Sequence, residues 1–177
     1  MKKIILSVFL FTIHSTLFAQ CRLSTEKGSY EATCMKELIK PHYTSSGIYI
    51  AIARVRDSGY FIIKNEDVFG TGFHKNIYLF LDDGSRIKLI DRHLRWKVND
   101  DLYGQYYLTK SEIERLKRTN IRAVRYWKCY DTGNGCYETP GQGALEVYNK
   151  AYQTIISHEW KDRINFPKLI RNLYDSD

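Results

Sequence analysis

Residues 77–89 read Ile-Tyr-Leu-Phe-Leu-Asp-Asp-Gly-Ser-Arg-Ile-Lys-Leu, and this stretch decides the class of fold. The apolar run Ile77–Leu81 stops at Asp82-Asp83-Gly84-Ser85, after which Arg86-Ile87-Lys88-Leu89 alternates polar with apolar. Asp-Gly between two such runs is a hairpin turn, because glycine supplies the positive φ that matches strand twist. Working outward, Ile48–Val55 is apolar on both faces and reads as a central strand, and Ser58-Gly59 turns the chain into Tyr60–Lys64. Leu94–Val98 alternates, with Leu94, Trp96 and Val98 expected inward and Arg95 and Lys97 in water. Asn99 to Asp101 then turn it toward a short strand over 104–108.

Helix signals are fewer. Thr109 and Glu112 form a capping box, each side chain satisfying a backbone amide of the other residue, with Leu108 and Ile113 at the staple positions. Ile113 and Leu116 should face the core, and Ile121–Tyr130 returns as a strand in which Arg125 shares the parity of Ile121, Ala123 and Trp127. A charge on the apolar side implies an edge strand, a bulge, or a paired arginine. Residues 31–40 suggest a short helix stopped by Pro41. Thr139, Pro140 and Gln142 suggest the start of the longest helix, whose stripe Leu145, Tyr148, Tyr152, Ile155 and Ile156 runs on to Trp160. Pro167–Tyr174 adds a last turn or two. The expected fold is α+β: an antiparallel β-meander with a mid-chain capped helix and a C-terminal helix packed on one face. The segment 105–126 (QYYLTKSEIERLKRTNIRAVRY) resembles a strand–helix–strand element of small secreted bacterial proteins of unassigned function. That resemblance implies fold and carries no chemistry.

Residues 1–20 have the layout of a secretory signal peptide: Lys2 and Lys3, an apolar run over 4–11, and Leu17-Phe18-Ala19 at the cut. The expected product is therefore secreted or periplasmic, one disulfide-stapled domain over residues 21–177. A lipoprotein acylated at Cys21 is the alternative, disfavoured by Gln20 before the cysteine and by the even cysteine count. The four cysteines allow three connectivities, and the expected one is local, Cys21–Cys34 and Cys129–Cys136, the second pair bracketing a turn of Gly and Asn residues. Closing loops of these sizes stabilises by roughly 2.5–3 kcal/mol in the chain-entropy model.

The chain carries 27 Lys and Arg against 20 Asp and Glu. The excess gathers between Lys110 and Lys128, where seven cations face only Glu112 and Glu114. Such a field attracts an anionic protein or glycan, and the candidate binding residues are Arg115, Arg118, Arg122 and Lys128. An ordinary wet helix end and strand face accounts for the same charges. Fourteen tyrosines suit half-buried sheet faces and binding surfaces equally. No nucleophile elbow, zinc-protease helix, P-loop or dinucleotide fingerprint occurs, and no cofactor or metal is expected. Weaker constellations are Asp91 with His93 on one strand face, Asp82-Asp83 and Asp131 with Asn134 as calcium-like pairs, and Glu66-Asp67 beside Gly70, Gly72 and His74. The expected function is an exported, non-enzymatic binding protein of the bacterial envelope or extracellular space with an anionic partner. The alternatives are a small hydrolase using His93 or His74 with nearby acids, and an immunity-type or inhibitor protein.

Overall fold

The structure, a computed structural model, describes residues 20–25, 28–39, 47–66, 71–99, 101–131, 136–137, 143–153 and 160–175. The signal-peptide reading, the loop 67–70, the turn 132–135 and the helix start 139–142 lie outside the described residues. The elements are β1 (Gln20–Thr25), β2 (Gly28–Thr33), β3 (Lys36–Leu38), β4 (Ile48–Val55), β5 (Ser58–Asn65), β6 (Thr71–Leu81), β7 (Arg86–Leu89), β8 (Arg95–Val98), β9 (Asp101–Leu108), α1 (Lys110–Leu116), β10 (Ile121–Asp131), β11 (Cys136–Tyr137), β12 (Leu145–Tyr148), β13 (Tyr152–Gln153), β14 (Trp160–Lys161) and α2 (Phe166–Tyr174). Among the described residues the fold is mostly β, 61% strand and 13% helix, with two large antiparallel sheets, the separate β13–β14 pair and a curled half-barrel, which corrects the α+β expectation.

The first sheet runs β1-β2-β4-β5-β9-β8, with β3 also on β4, and the second runs β11-β10-β6-β7, with β12 beside β11 on β10. The hairpin of 77–89 is the β6–β7 pair, registering Ile77 with Leu89 and Phe80 with Arg86. Gly84 turns it at φ 80°, and the Asp83 carboxylate accepts the Ser85 amide at 2.9 Å. One face of that hairpin (Ile77, Leu79, Leu81, Ile87, Leu89) is buried in the main core. Ile48, Ile50, Ile52, Phe61 and Ile63 meet it from the first sheet, and Ile113, Leu116, Phe166 and Ile170 from the two helices. A second cluster, Ala32, Ala53, Ile62 and Trp96, covers the far face of the first sheet, with Tyr30, Tyr60 and Tyr103 packed against it.

Among the described residues, strands stand where two helices are expected; Ile155 and Ile156 of the second lie outside the described residues. Residues 31–40 end β2 and form β3, which pairs Lys36 with Ile50 and Leu38 with Ile48. The Cys21–Cys34 disulfide joins the start of β1 to the residue after β2. The stripe of 145–156 has helical spacing, yet Leu145–Tyr148 is β12, pairing Tyr126 with Leu145 and Ala123 with Tyr148. Tertiary pairing wins because it buries Val147 in the main core and gives the β10 edge a partner. Arg95 and Val98 also depart from expectation: Val98, on the Trp96 face at the end of β8, is exposed, while Arg95 donates to the Phe73 carbonyl and to Asp91.

The α1 helix forms as expected. The Thr109 hydroxyl accepts the Glu112 amide and the Glu112 carboxylate accepts the Thr109 amide, with Ile113 and Leu116 buried. The C-terminal helix is α2, capped by Asn165. It docks on β5 at Gly59, where any Cβ would lie 2.5 Å from both the Ala53 carbonyl and the Tyr174 hydroxyl. Tyr174 donates to the Ser58 carbonyl at 2.7 Å, and Arg54 donates to the Leu173 carbonyl at 3.0 Å. The route into α2 is fixed by a buried amide. Asn149 donates to the carbonyls of Ile121 (2.9 Å) and Ile164 (2.8 Å) and accepts the Ile164 amide (2.8 Å).

Candidate functional site

Strand β10 carries the site, and a bulge shapes it. Its pairing with β6 slips between Ile121 and Ala123 and again between Arg125 and Trp127. The first slip reverses parity: Ile121 is in the core, but so are Val124 and Tyr126. Arg125 is therefore carried to the outer face of the second sheet. The same slip turns Arg122 and Ala123 into one hollow, as a bulge does when it opposes two residues to one.

The outer face is built by register. Across one row, Lys88, Tyr78, Arg125 and Glu146 lie side by side on β7, β6, β10 and β12; across the next lie Arg86, Phe80, Ala123 and Tyr148. Arg86, Lys88 and Arg122 are exposed, and Tyr78, Phe80, Trp127 and Tyr148 are half-buried. The guanidinium of Arg86 sits 5.6 Å over the Tyr78 ring and that of Arg125 sits 5.0 Å over the Phe80 ring. Tyr78 meets Trp127 edge to face at 5.9 Å. Rings that hold cations in place reduce the rotamer freedom lost on binding.

The acid on these rows is Glu146, and it is committed internally. Arg125 Nε donates to it at 2.6 Å and the Tyr148 hydroxyl at 2.7 Å. The Tyr148 hydrogen bond, opposed by partial burial and aided by Arg125 and then Arg122, holds the Glu146 carboxyl below its ordinary value. The same bond pushes the Tyr148 hydroxyl up. Between the Phe80 and Tyr148 rings, with the small Ala123 as floor, lies a hollow of about 300 Å³ walled by Arg122, Arg125 and Glu146.

The four sequence-predicted cations do not gather at one point. Arg122 lines the hollow. Arg115 donates to the Arg86 carbonyl at 3.3 Å, at the β7 margin of the same sheet. Arg118 borders a separate cleft of about 640 Å³ with Asp82, Asp83 and Arg163. Lys128 stands opposite Phe73, six residues along β10 from Arg122, which is up to about 20 Å at strand rise. Of the other cations of 110–128, Lys117 is held by Asp175 at 2.8 Å and Glu114 at 2.9 Å, and Lys110 by Asp57 at 2.9 Å. What the sequence reading missed is the aromatic half of the face, together with Arg86 and Lys88 from the neighbouring hairpin. The alternation of Tyr78 and Phe80 with buried leucines was the available signal.

The remaining constellations serve the fold. Asp91 and His93 do not share a strand face: they sit on a loop, with His93 at φ 56°. Asp91 accepts the His93 amide at 2.8 Å and pairs with Arg95, whose Nη1 lies 3.2 Å from His93 Nδ1. His74 stands on β6 opposite Trp127. Asp82 holds Arg163 at 2.6 Å, and Glu66 holds Lys64 at 2.7 Å. Cys129 is disulfide-bonded, and its expected partner Cys136 has its backbone opposite Asp131. Among the described residues no helix is long and apolar enough to cross a membrane. Compared with known proteins, the chain matches no family model, no curated protein and no solved structure.

Proposed function

We propose that this chain is an exported, non-catalytic binding protein whose outer face on the second sheet receives an anionic partner. The observation that carries the reading is the composition of that face. Four cations (Arg86, Lys88, Arg122, Arg125) and four rings (Tyr78, Phe80, Trp127, Tyr148) share it with Glu146, whose charge is spent on Arg125 and Tyr148. A core-only role explains the buried side of these strands; on the outer face Arg86, Lys88 and Arg122 stand exposed beside the Arg125–Glu146 pair. Export is supported by the Lys2-Lys3 start with its apolar run and by the Cys21–Cys34 disulfide, which persists in an oxidising compartment. Against the hydrolase alternative, the Arg95 guanidinium already takes the Asp91 carboxylate that a His93 base would need.

The test is retention on immobilised anionic polymers, a sulfated polysaccharide and polyglutamate, over a salt series. Retention should fall as salt rises, since exposed charges are screened over about 10 Å at 0.1 M. The pair Arg86→Glu with Arg122→Glu should abolish it while leaving the unfolding midpoint nearly unchanged. Equal retention before and after that change would remove the face from the account.

A further inference from the structure

We infer that the hollow between Phe80 and Tyr148 receives one ring of an acidic polysaccharide, a sugar carrying a carboxylate. The inference rests on the reading of this face as anion-binding and adds the chemistry of the ligand.

The first argument is shape. In the row Phe80–Ala123–Tyr148 the middle residue has only a methyl group, so two aromatic rings flank a gap. Its volume of about 300 Å³ is at the low end for small-ligand sites, which suits one sugar ring rather than a folded segment of protein. A pyranose presents apolar C–H groups to flanking rings and hydroxyls to planar polar groups, and this hollow offers both kinds of wall.

The second argument is charge. Arg122 and Arg125 face the hollow, and Glu146 balances one of them. One cation remains uncompensated, which matches one carboxylate rather than a dianionic or polyanionic group. A neutral sugar would take water from Arg122 and return no charge, an unfavourable exchange. Arg125 is already oriented by Glu146 and the Phe80 ring, so little order is lost when a ligand arrives.

The third argument separates the glycan from nucleic acid. A single-stranded nucleic acid is held along a positively charged groove with successive bases stacked, whereas this hollow is one ring-sized gap with one uncompensated cation, Arg122.

The experiment titrates the purified protein with tri-galacturonate, following the heat of binding. The comparison ligands are its methyl ester, a neutral trisaccharide, polyglutamate, a sulfated polysaccharide and a thymidine oligonucleotide. The acid form should bind, and the ester and neutral sugar should bind at least tenfold more weakly. Arg122→Gln, a change at an exposed position, and Ala123→Leu, which fills the gap, should each weaken tri-galacturonate at least tenfold. Circular dichroism and the unfolding midpoint confirm that each variant is folded, and Arg122→Gln keeps the test decisive if Ala123→Leu is not. Salt-sensitive binding of polyglutamate or sulfated polymer without tri-galacturonate binding would overturn the sugar hollow and keep the anionic face. Tighter binding of the oligonucleotide than of tri-galacturonate, or equal binding by the Arg122→Gln variant, would overturn the sugar hollow as well. Binding of none of the anions would overturn both.

Discussion

Replacing Asn149 by alanine tests whether the route from β12 to α2 is held as described. The side chain, 4% exposed, gives hydrogen bonds to the Ile121 and Ile164 carbonyls and accepts the Ile164 amide, at 2.8–2.9 Å. The amide hydrogen of Asn149 to the Arg122 carbonyl and the Arg163 contact to the Asn149 carbonyl belong to the backbone and survive. Those three bonds are lost together with a long fourth one to Asn120 Oδ1 at 3.4 Å, the three short ones at about 1 kcal/mol each when both partners can find water. Ile121 is fully buried, so its carbonyl cannot, and the loss should total about 3–4 kcal/mol. With a urea slope of about 2 kcal/mol/M, the midpoint should fall by about 1.5–2 M with the slope unchanged. Asn149→Asp should be worse at neutral pH, because a buried carboxylate would face two carbonyl oxygens, and should recover on acidification. A midpoint shift under about 0.3 M for Asn149→Ala would refute the reasoning, since it corresponds to less than one bond.

Three further changes probe other joints. Gly59→Ala places a Cβ 2.5 Å from the Ala53 carbonyl and the Tyr174 hydroxyl and should cost about 1–3 kcal/mol by urea unfolding. No loss would mean α2 does not dock there. Thr109→Ala should cost about 1 kcal/mol through loss of the cap, read as a lower midpoint at unchanged slope. Because the Glu146 carboxyl is lowered in the fold, its contribution is complete above the ordinary value of 4.5 and is lost as pH falls through the folded value. Glu146→Gln should flatten that part of the acid profile and strengthen anion binding by removing the negative charge beside the hollow. An unaltered profile and unaltered affinity would show that Glu146 holds nothing in place.

Local signals carried the hairpin of 77–89, the capped α1 and the strand after it, because each is decided by residues adjacent in sequence. The Asp-Gly turn and the Thr109–Glu112 box need no distant partner. The helix reading failed at Leu145–Tyr148 for the opposite reason. Their apolar spacing fits a helix, but Glu146 meets Arg125 and Val147 meets Val124 across a ladder that sequence spacing cannot reveal. Residues 31–40 were overridden in the same way by pairing with β4. Arg125 was legible as an anomaly: a charge at core parity implied a bulge or an edge, and the bulge is there between Ile121 and Ala123. The concentration of cations between Lys110 and Lys128 was legible too. What spacing could not show is that Arg118, Arg122 and Lys128 point to three different places, or that Arg86 and the rings of β6 complete the face.

The most direct test of the account is amide and arginine side-chain shift mapping during titration with a salt-sensitive anionic ligand. The account predicts that the largest changes fall on Phe80, Arg86, Arg122, Arg125 and Tyr148, and that they disappear at high salt. Changes centred instead on Arg115 and Arg118, on Tyr30, Tyr60 and Tyr107 of the first sheet, or on no single face would contradict it.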